Sequence, residues 1–225
     1  MDSNLVITIE RQAGSGGHLI GKYIAAKLGI KCYDEELLSL AAKESGLAEQ
    51  LFHTHDEQPT SSFLYSLVMD SYSMGYNSGG FFDMPINNKI FLAQFDTIKN
   101  LADKESCVIV GRCADYALDE YPGKVSTFIY ADDALRIETI CKMRNVSGEE
   151  AREMMINKDK SRSSYYNYYS NKKWGDAKCY DICINSGVLG IEKTGDFIID
   201  FANAKFNLGQ AQSKPYGRKA YFQES

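Results

Sequence analysis

The sequence predicts an α/β fold: a doubly wound, mostly parallel five-stranded sheet with helices on both faces. Three observations predict it. Short apolar runs alternate with segments of helical period along most of the 225 residues. One of those runs, Cys107–Val110, is apolar at every position, the pattern of a strand covered on both faces. The first run ends in a glycine-rich turn, Gly14-Ser15-Gly16-Gly17, which feeds straight into a helical pattern. Bare backbone N–H groups at a helix start, aided by the helix dipole, form a cradle for an anion.

Taken in order, Leu5–Ile9 alternates and reads as the first strand. Gly17–Leu28 reads as a helix with Leu19, Ile20, Ile24 and Leu28 on one face, and Gly29 suits its C-terminal cap. Ile30–Tyr33 is a short second strand, and Asp34 is a good N-cap for a helix over Glu35–Glu44. Residues 53–85 are rich in Ser, Gly and Met and contain Pro59 and Pro85, which predicts a mobile helical lobe with one helix near 61–72. Ile86–Ala102 regains helical period, and Gly111-Arg112 ends the apolar strand. Val125–Tyr130 is a strand, followed by a helix from Asp132 to Met143. Ser147 and Glu150 form a capping box for a long helix reaching the late 160s. Tyr180–Asn185 is the last strand and Gly190–Ala204 the last helix. Length and pattern predict one domain over 1–225, with a core of 1–52, 86–145 and 178–206.

Composition narrows the function classes. Hydrophobic residues at 44% and charged residues at 24% suit a soluble globular chain. No apolar run is long enough to span a bilayer. The first strand starts too early to leave room for a signal peptide. The six cysteines are scattered without a C-x-x-C pair, which predicts reduced thiols and a cytoplasmic protein. A net charge of −5 argues against a general nucleic-acid binder. Residues 142–173, however, hold eight Lys or Arg against four acids. A basic island on an acidic chain suits a small anionic ligand.

The glycine turn stands where a Walker A loop would, but its residues differ from G-x-x-x-x-G-K-[ST]. Arg11 takes the first glycine place, Gly16 the second, Gly17 the lysine place and His18 the hydroxyl place. A second frame, Gly16 through Gly21-Lys22-Tyr23, puts its lysine well inside the helix, along the flank. Arg11 could supply the missing charge through a bidentate grip on phosphate, or form a surface ion pair with Glu10. His18 could donate to a phosphate or contact a Mg²⁺-bound water, or be a solvated helix-start residue. It is not a Mg²⁺ ligand, since that ion prefers oxygen. Arg112 follows a buried strand, at the carboxyl edge where α/β sheets bind ligands. Lys158 and Arg162 are i,i+4 and share a helix face with Tyr165 and Tyr169, and Asp159 could orient Arg162. His53-Thr54-His55-Asp56 reads as exposed polar loop, and no metal ligands are assigned.

Together, the opening Val6–Gly17 segment, Leu28–Asp34, Val108–Arg112, the basic helix and Tyr180-Asp181…Asn185 resemble the cytidylate kinase-like family, over nearly the whole chain except roughly 53–85. The resemblance implies a P-loop kinase-like core, an acceptor-binding lobe at about 53–85 and a lid at about 146–177. It assigns donor phosphates to Gly14, Ser15, Gly16 and Gly17, an acceptor phosphate to Arg112, and lid roles to Arg136, Arg162 and the region between them. Cytidylate kinases carry aspartates flanking the Gly-Arg step that help recognise cytidine. Here those places hold Val110 and Cys113, so cytidine specificity is not expected.

The function expected is a nucleoside monophosphate kinase-like phosphotransferase using ATP and Mg²⁺, moving the γ-phosphoryl group to a small phosphate-bearing or hydroxyl acceptor. Its partners are the nucleotide and that acceptor, with no nucleic acid and no membrane; a homo-oligomer is left open. Retained arginines favour this reading. The altered loop favours the alternative, a non-catalytic nucleotide- or phosphate-binding protein on a kinase scaffold.

Overall fold

A computed structural model of the chain describes residues 3–54, 56–57 and 85–206. The helix expected near 61–72 lies outside them. The chain runs β1 (Val6–Arg11), α1 (Gly17–Leu28), β2 (Lys31–Tyr33), α2 (Glu36–Ser45), α3 (Glu49–Thr54), α4 (Ile86–Lys104), β3 (Cys107–Val110) and α5 (Ala114–Ala117). It continues through β4 (Lys124–Tyr130), α6 (Asp133–Arg144), α7 (Gly148–Ser170), a 3₁₀ turn at Ala177–Cys179, β5 (Ile182–Asn185) and α8 (Ser186–Phe206).

The strands form one five-stranded sheet in the order β2-β3-β1-β4-β5. Every pairing is parallel, where the sequence predicts a mostly parallel sheet. Parallel neighbours need crossover helices, and these cover both faces. β1 lies in the middle and is buried at all six positions. Strand alternation sorts its side chains. Ile7 and Ile9 pack with Ile20 and Ile24 of α1 and Ile198 of α8. Val6 faces the other way, among Leu37 of α2 and Ile98 and Leu101 of α4. Arg11 therefore emerges on the α1 side and Glu10 on the opposite one.

Several bounds shift from the sequence reading. β1 runs on to Arg11 because β4 continues to pair with it through Phe128 and Ile129. Leu19 is 49% exposed, so the buried stripe of α1 narrows to Ile20 and Ile24, with Leu28 partly buried. The last helix starts earlier, at Ser186, and bends at Gly190, whose φ is 72°. The capping box of Ser147 and Glu150 is present at the start of α7.

The far end of α7 is core. Tyr165, Tyr166 and Tyr169 are buried, and Phe91 of α4 stacks on Tyr169 with ring centres 3.9 Å apart. The helix placed in a lid is thus anchored by its aromatic tail, while its first half faces α6. No helix among the described residues is long and apolar enough to cross a membrane.

Candidate functional site

The site begins with the turn between β1 and α1. Gly14 and Gly16 have φ of 77° and 80°, conformations that suit glycine. A Cβ at Gly14 would also lie 2.5 Å from the Arg136 carbonyl oxygen. No side chain caps α1, and Gly16, Gly17 and His18 at its start line the cavity described below. Ser15 holds the turn together. Its N–H donates to Gln12 O at 3.3 Å, and its hydroxyl lies 2.8 Å from that oxygen and 3.1 Å from Ile129 O. The Ser15 side chain is therefore committed to the turn.

The Ala13 peptide is clamped from both sides. Its N–H donates to Asp159 Oδ1 at 2.7 Å, and its carbonyl accepts from Arg136 Nε at 2.8 Å. Arg136 and Asp159 also pair with each other, and Arg136 reaches Asp133 at 3.1 Å. Arg136 is 3% exposed with every guanidinium nitrogen engaged, so it positions the turn. Asp159 does not orient Arg162 as expected. It looks toward α6 and the loop, while Arg162 shares the face of Lys158.

Arg11 and Gly17 occupy one space. A Cβ at position 17 would stand 2.6 Å from Arg11 Cβ and 2.9 Å from its Cγ. The stem of Arg11 thus fills the room that a lysine at 17 would need. Its guanidinium passes close over Gly111, where a Cβ would be 2.0 Å from Nη1. Arg11 does not pair with Glu10. That carboxylate turns to the other face and accepts from Trp174 Nε1 at 3.2 Å. Burial pushes Glu10 up to about 7, against the pull of Arg11.

The partner of Arg11 is Glu57, which the sequence reading missed. Arg11 Nη1 lies 2.8 Å from Glu57 Oε1. Lys158 Nζ and Arg162 Nε lie 3.0 and 3.1 Å from Oε2. Ser161 Oγ donates to the Glu57 carbonyl at 2.8 Å. Burial opposes the charge on Glu57, but Arg11, Arg162 and Lys158 outweigh it and hold the carboxyl well below its usual range.

Arg112 forms a second knot beside the first. It grips Asp56 with two bonds of 3.1 Å and donates to Asp34 Oδ1 at 2.9 Å. It is 3% exposed with φ of 55°. Burial works against its charge, yet Asp56, Glu57 and Asp34 raise its pKa. Asp34, expected as an N-cap, instead holds Arg112 and lies 2.6 Å from His18 Nδ1, while Glu35 takes the N-cap position of α2. Asp56, expected in exposed polar loop, is the bidentate partner of Arg112. No local pattern marks Glu57, and none gives Asp34 or Asp56 as an arginine partner; only opposite charge, placed far along the chain, links them to the arginines.

A cavity of about 600 Å³ opens over the turn. Arg11, Gly14, Gly16, Gly17, His18 and Asp34 line one side, and Lys158, Arg162, Ile140, Met143 and Met154 line the other. The site thus joins amides and cations at one helix start, with apolar surface nearby. Among the described residues, no cluster of three His, Cys, Asp or Glu is placed to hold a metal. Asp34, Asp56 and Glu57 are all committed to cations, so the protein side does not fit a Mg²⁺ cage. Lys22 of the second Walker frame is exposed on α1 and does not line the cavity.

Comparison with known proteins agrees with this architecture. The sequence profile described as the cytidylate kinase-like family matches residues 6–188. A cytidylate kinase of Archaeoglobus fulgidus is 25% identical over 205 residues, covering 88% of this chain and 95% of that protein. The crystal structure of an uncharacterised protein from Eubacterium ventriosum ATCC 27560 superposes with a TM-score of 0.64 at 30% identity. That match covers 89% of this chain and 99% of the other.

Proposed function

The chain belongs to the cytidylate kinase-like family, and from that premise we propose that it is a phosphotransferase moving the γ-phosphoryl group of ATP to a small acceptor that bears a hydroxyl or a phosphate. The observation that carries this reading is the convergence of Arg11, Lys158 and Arg162 on one point beside the uncapped start of α1. Phosphoryl transfer asks little covalent chemistry of a protein. It needs the donor and acceptor aligned and the charge on the equatorial oxygens neutralised.

In this reading the amides of Gly16, Gly17 and His18 receive the donor phosphates. Arg11 replaces the absent loop lysine, and Lys158 and Arg162 stand over the transferred group. Arg112, whose fork already holds a carboxylate in bidentate geometry, is suited to an acceptor phosphate. Asp34, which lines the cavity, would instead orient an acceptor hydroxyl. Mg²⁺ would come coordinated by the nucleotide's own phosphates, since the nearby carboxylates are engaged.

A thermal-shift screen of nucleotides with and without Mg²⁺ tests binding, because a ligand well above its Kd stabilises by about 3–4 kcal/mol. A coupled assay over nucleoside monophosphates and small hydroxyl compounds then tests transfer. Binding with no turnover on any acceptor would favour the second reading, a nucleotide-binding protein without catalysis. The pairing of Arg11, Lys158, Arg162 and Arg112 with internal carboxylates supports that alternative.

A further inference from the structure

We propose that Glu57 is an internal stand-in for the dianionic phosphoryl group that this site binds, and that the ligand enters by changing places with it. The inference rests on the reading of the site as a phosphate-transfer centre, and it concerns how that centre is occupied and opened.

The contacts of Glu57 are those a phosphoryl group would make. Oε1 takes Arg11, and Oε2 takes both Lys158 and Arg162. These three cations line the cavity over the glycine turn, and Glu57 itself is 3% exposed. One charge on Glu57 serves Arg11, Lys158 and Arg162, with Asp34 4.0 Å from Arg11 adding to it, and a dianion in place of Glu57 would neutralise the three cations better. The neighbouring Asp56 repeats the arrangement on Arg112, with two bonds of 3.1 Å in the geometry of an arginine on a phosphate.

The backbone supports exchange. Glu57 has φ of 55°, a left-handed conformation that costs a non-glycine residue energy and persists where side-chain contacts enforce it. Arg136 and Asp159 give the contrast. Both clusters have backbone ties, Arg136 and Asp159 to Ala13 and Ser161 to the Glu57 carbonyl, but the Arg136–Asp159 pair lines no part of the cavity, as expected of a permanent brace. The Glu57 contacts are instead made by cations that face the cavity. The ligand then sees only the fraction of molecules in which Glu57 has withdrawn, and its apparent affinity falls by that fraction.

The test uses the full chain, with inorganic pyrophosphate and ATP as probes. Titration calorimetry should show Glu57→Gln binding pyrophosphate more tightly than wild type, by on the order of tenfold. Hydrogen exchange on the wild-type protein should show the peptide spanning Asp56 and Glu57 losing protection when pyrophosphate saturates. Equal or weaker binding by Glu57→Gln, or protection at 56–57 that holds or grows, overturns the exchange. If Glu57→Gln does not fold, the wild-type exchange experiment decides alone. If neither wild type nor variant binds either probe, the phosphate-site reading itself fails. If wild type binds and the variant binds no better, only the stand-in fails.

Discussion

A single missing methyl group sets the chemistry of the loop. With Arg11 Cβ 2.6 Å from where a Cβ at 17 would stand, any side chain at position 11 requires glycine at position 17. Gly17→Lys should therefore destabilise the chain by about 1–3 kcal/mol, the cost of overpacking near a rigid stem. Removing Arg11 should not rescue it, because alanine keeps the offending Cβ. Urea unfolding of the single and double variants checks this; a double variant as stable as Arg11→Ala would refute it. Arg11→Ala alone should weaken nucleotide binding by about 1.5–3 kcal/mol, the scale of a charge-assisted hydrogen bond. Unchanged affinity in calorimetry would leave Arg11 as a structural ion-pair residue. Acceptor choice is also set by single positions. Val110 and Cys113, where cytidylate kinases carry aspartates, are both fully buried here. CMP should accordingly show no marked advantage over other acceptors in a coupled assay, and turnover with CMP alone would contradict this. At this scale the sequence revealed the cations but not their partners. Arg11, Arg112 and Arg162 sit in recognisable motifs. Asp34, Asp56 and Glu57 become site residues only through contacts with Arg112, Arg11 and Arg162 up to 105 positions away.

The elements were more legible than the contacts between them. Strands of continuous or alternating apolar residues and helices with capping signals could be read directly, as with Cys107–Val110 and the Ser147–Glu150 box. The one-turn helix Ala114–Ala117 and the 3₁₀ turn Ala177–Cys179 escaped, being too short to show a period. The role of α7 was half legible. Its i,i+4 cations gave one face, but nothing local distinguished a lid from a docked helix. Three buried tyrosines anchor its tail, and Asp159 ties its middle to Ala13 and Arg136. Asp159→Asn should thus loosen α7 from the glycine turn. The expected loss is about 1.5–3 kcal/mol of stability, with Arg136 left partly compensated by Asp133. Nucleotide affinity should fall too, although Asp159 lines no part of the cavity. Chemical denaturation and nucleotide titration measure the two effects. A variant that loses stability but keeps full affinity would show the clamp to be structural only.

At the scale of the molecule, the parallel sheet accounts for both the site and a cost elsewhere. Alternation along central β1 sends Arg11 to the glycine turn and, one residue earlier, sends Glu10 into the opposite face. The alternation was legible in the sequence; the destination of Glu10 was not, since it depends on Trp174 and Asp115 packing there from distant segments. Burial pushes Glu10 from 4.5 up to about 7, with Arg11 opposing and Asp115 and Glu57 adding to the rise. Burial also raises Asp115, which accepts from Tyr166 at 2.7 Å. An acid held above its unfolded value keeps its proton longer in the folded state. Between about 4.5 and about 7 the folded chain therefore binds more protons than the unfolded one, and stability falls as pH rises through that window. Asp34 and Glu57 have the opposite sign: arginine neighbours outweigh burial and hold them low, so their contribution is present above the ordinary carboxylate range and lost in stronger acid. The chain should consequently be more stable at pH 5 than at pH 8. Glu10→Gln, which keeps an oxygen for Trp174, should raise stability at pH 8 by about 3 kcal/mol. It should reduce the slope between pH 5 and 8, with Asp115 supplying what remains. Urea midpoints at the two pH values measure both effects. A wild-type protein more stable at pH 8, or a variant with an undiminished slope, would show that Glu10 is ionised in the folded chain throughout.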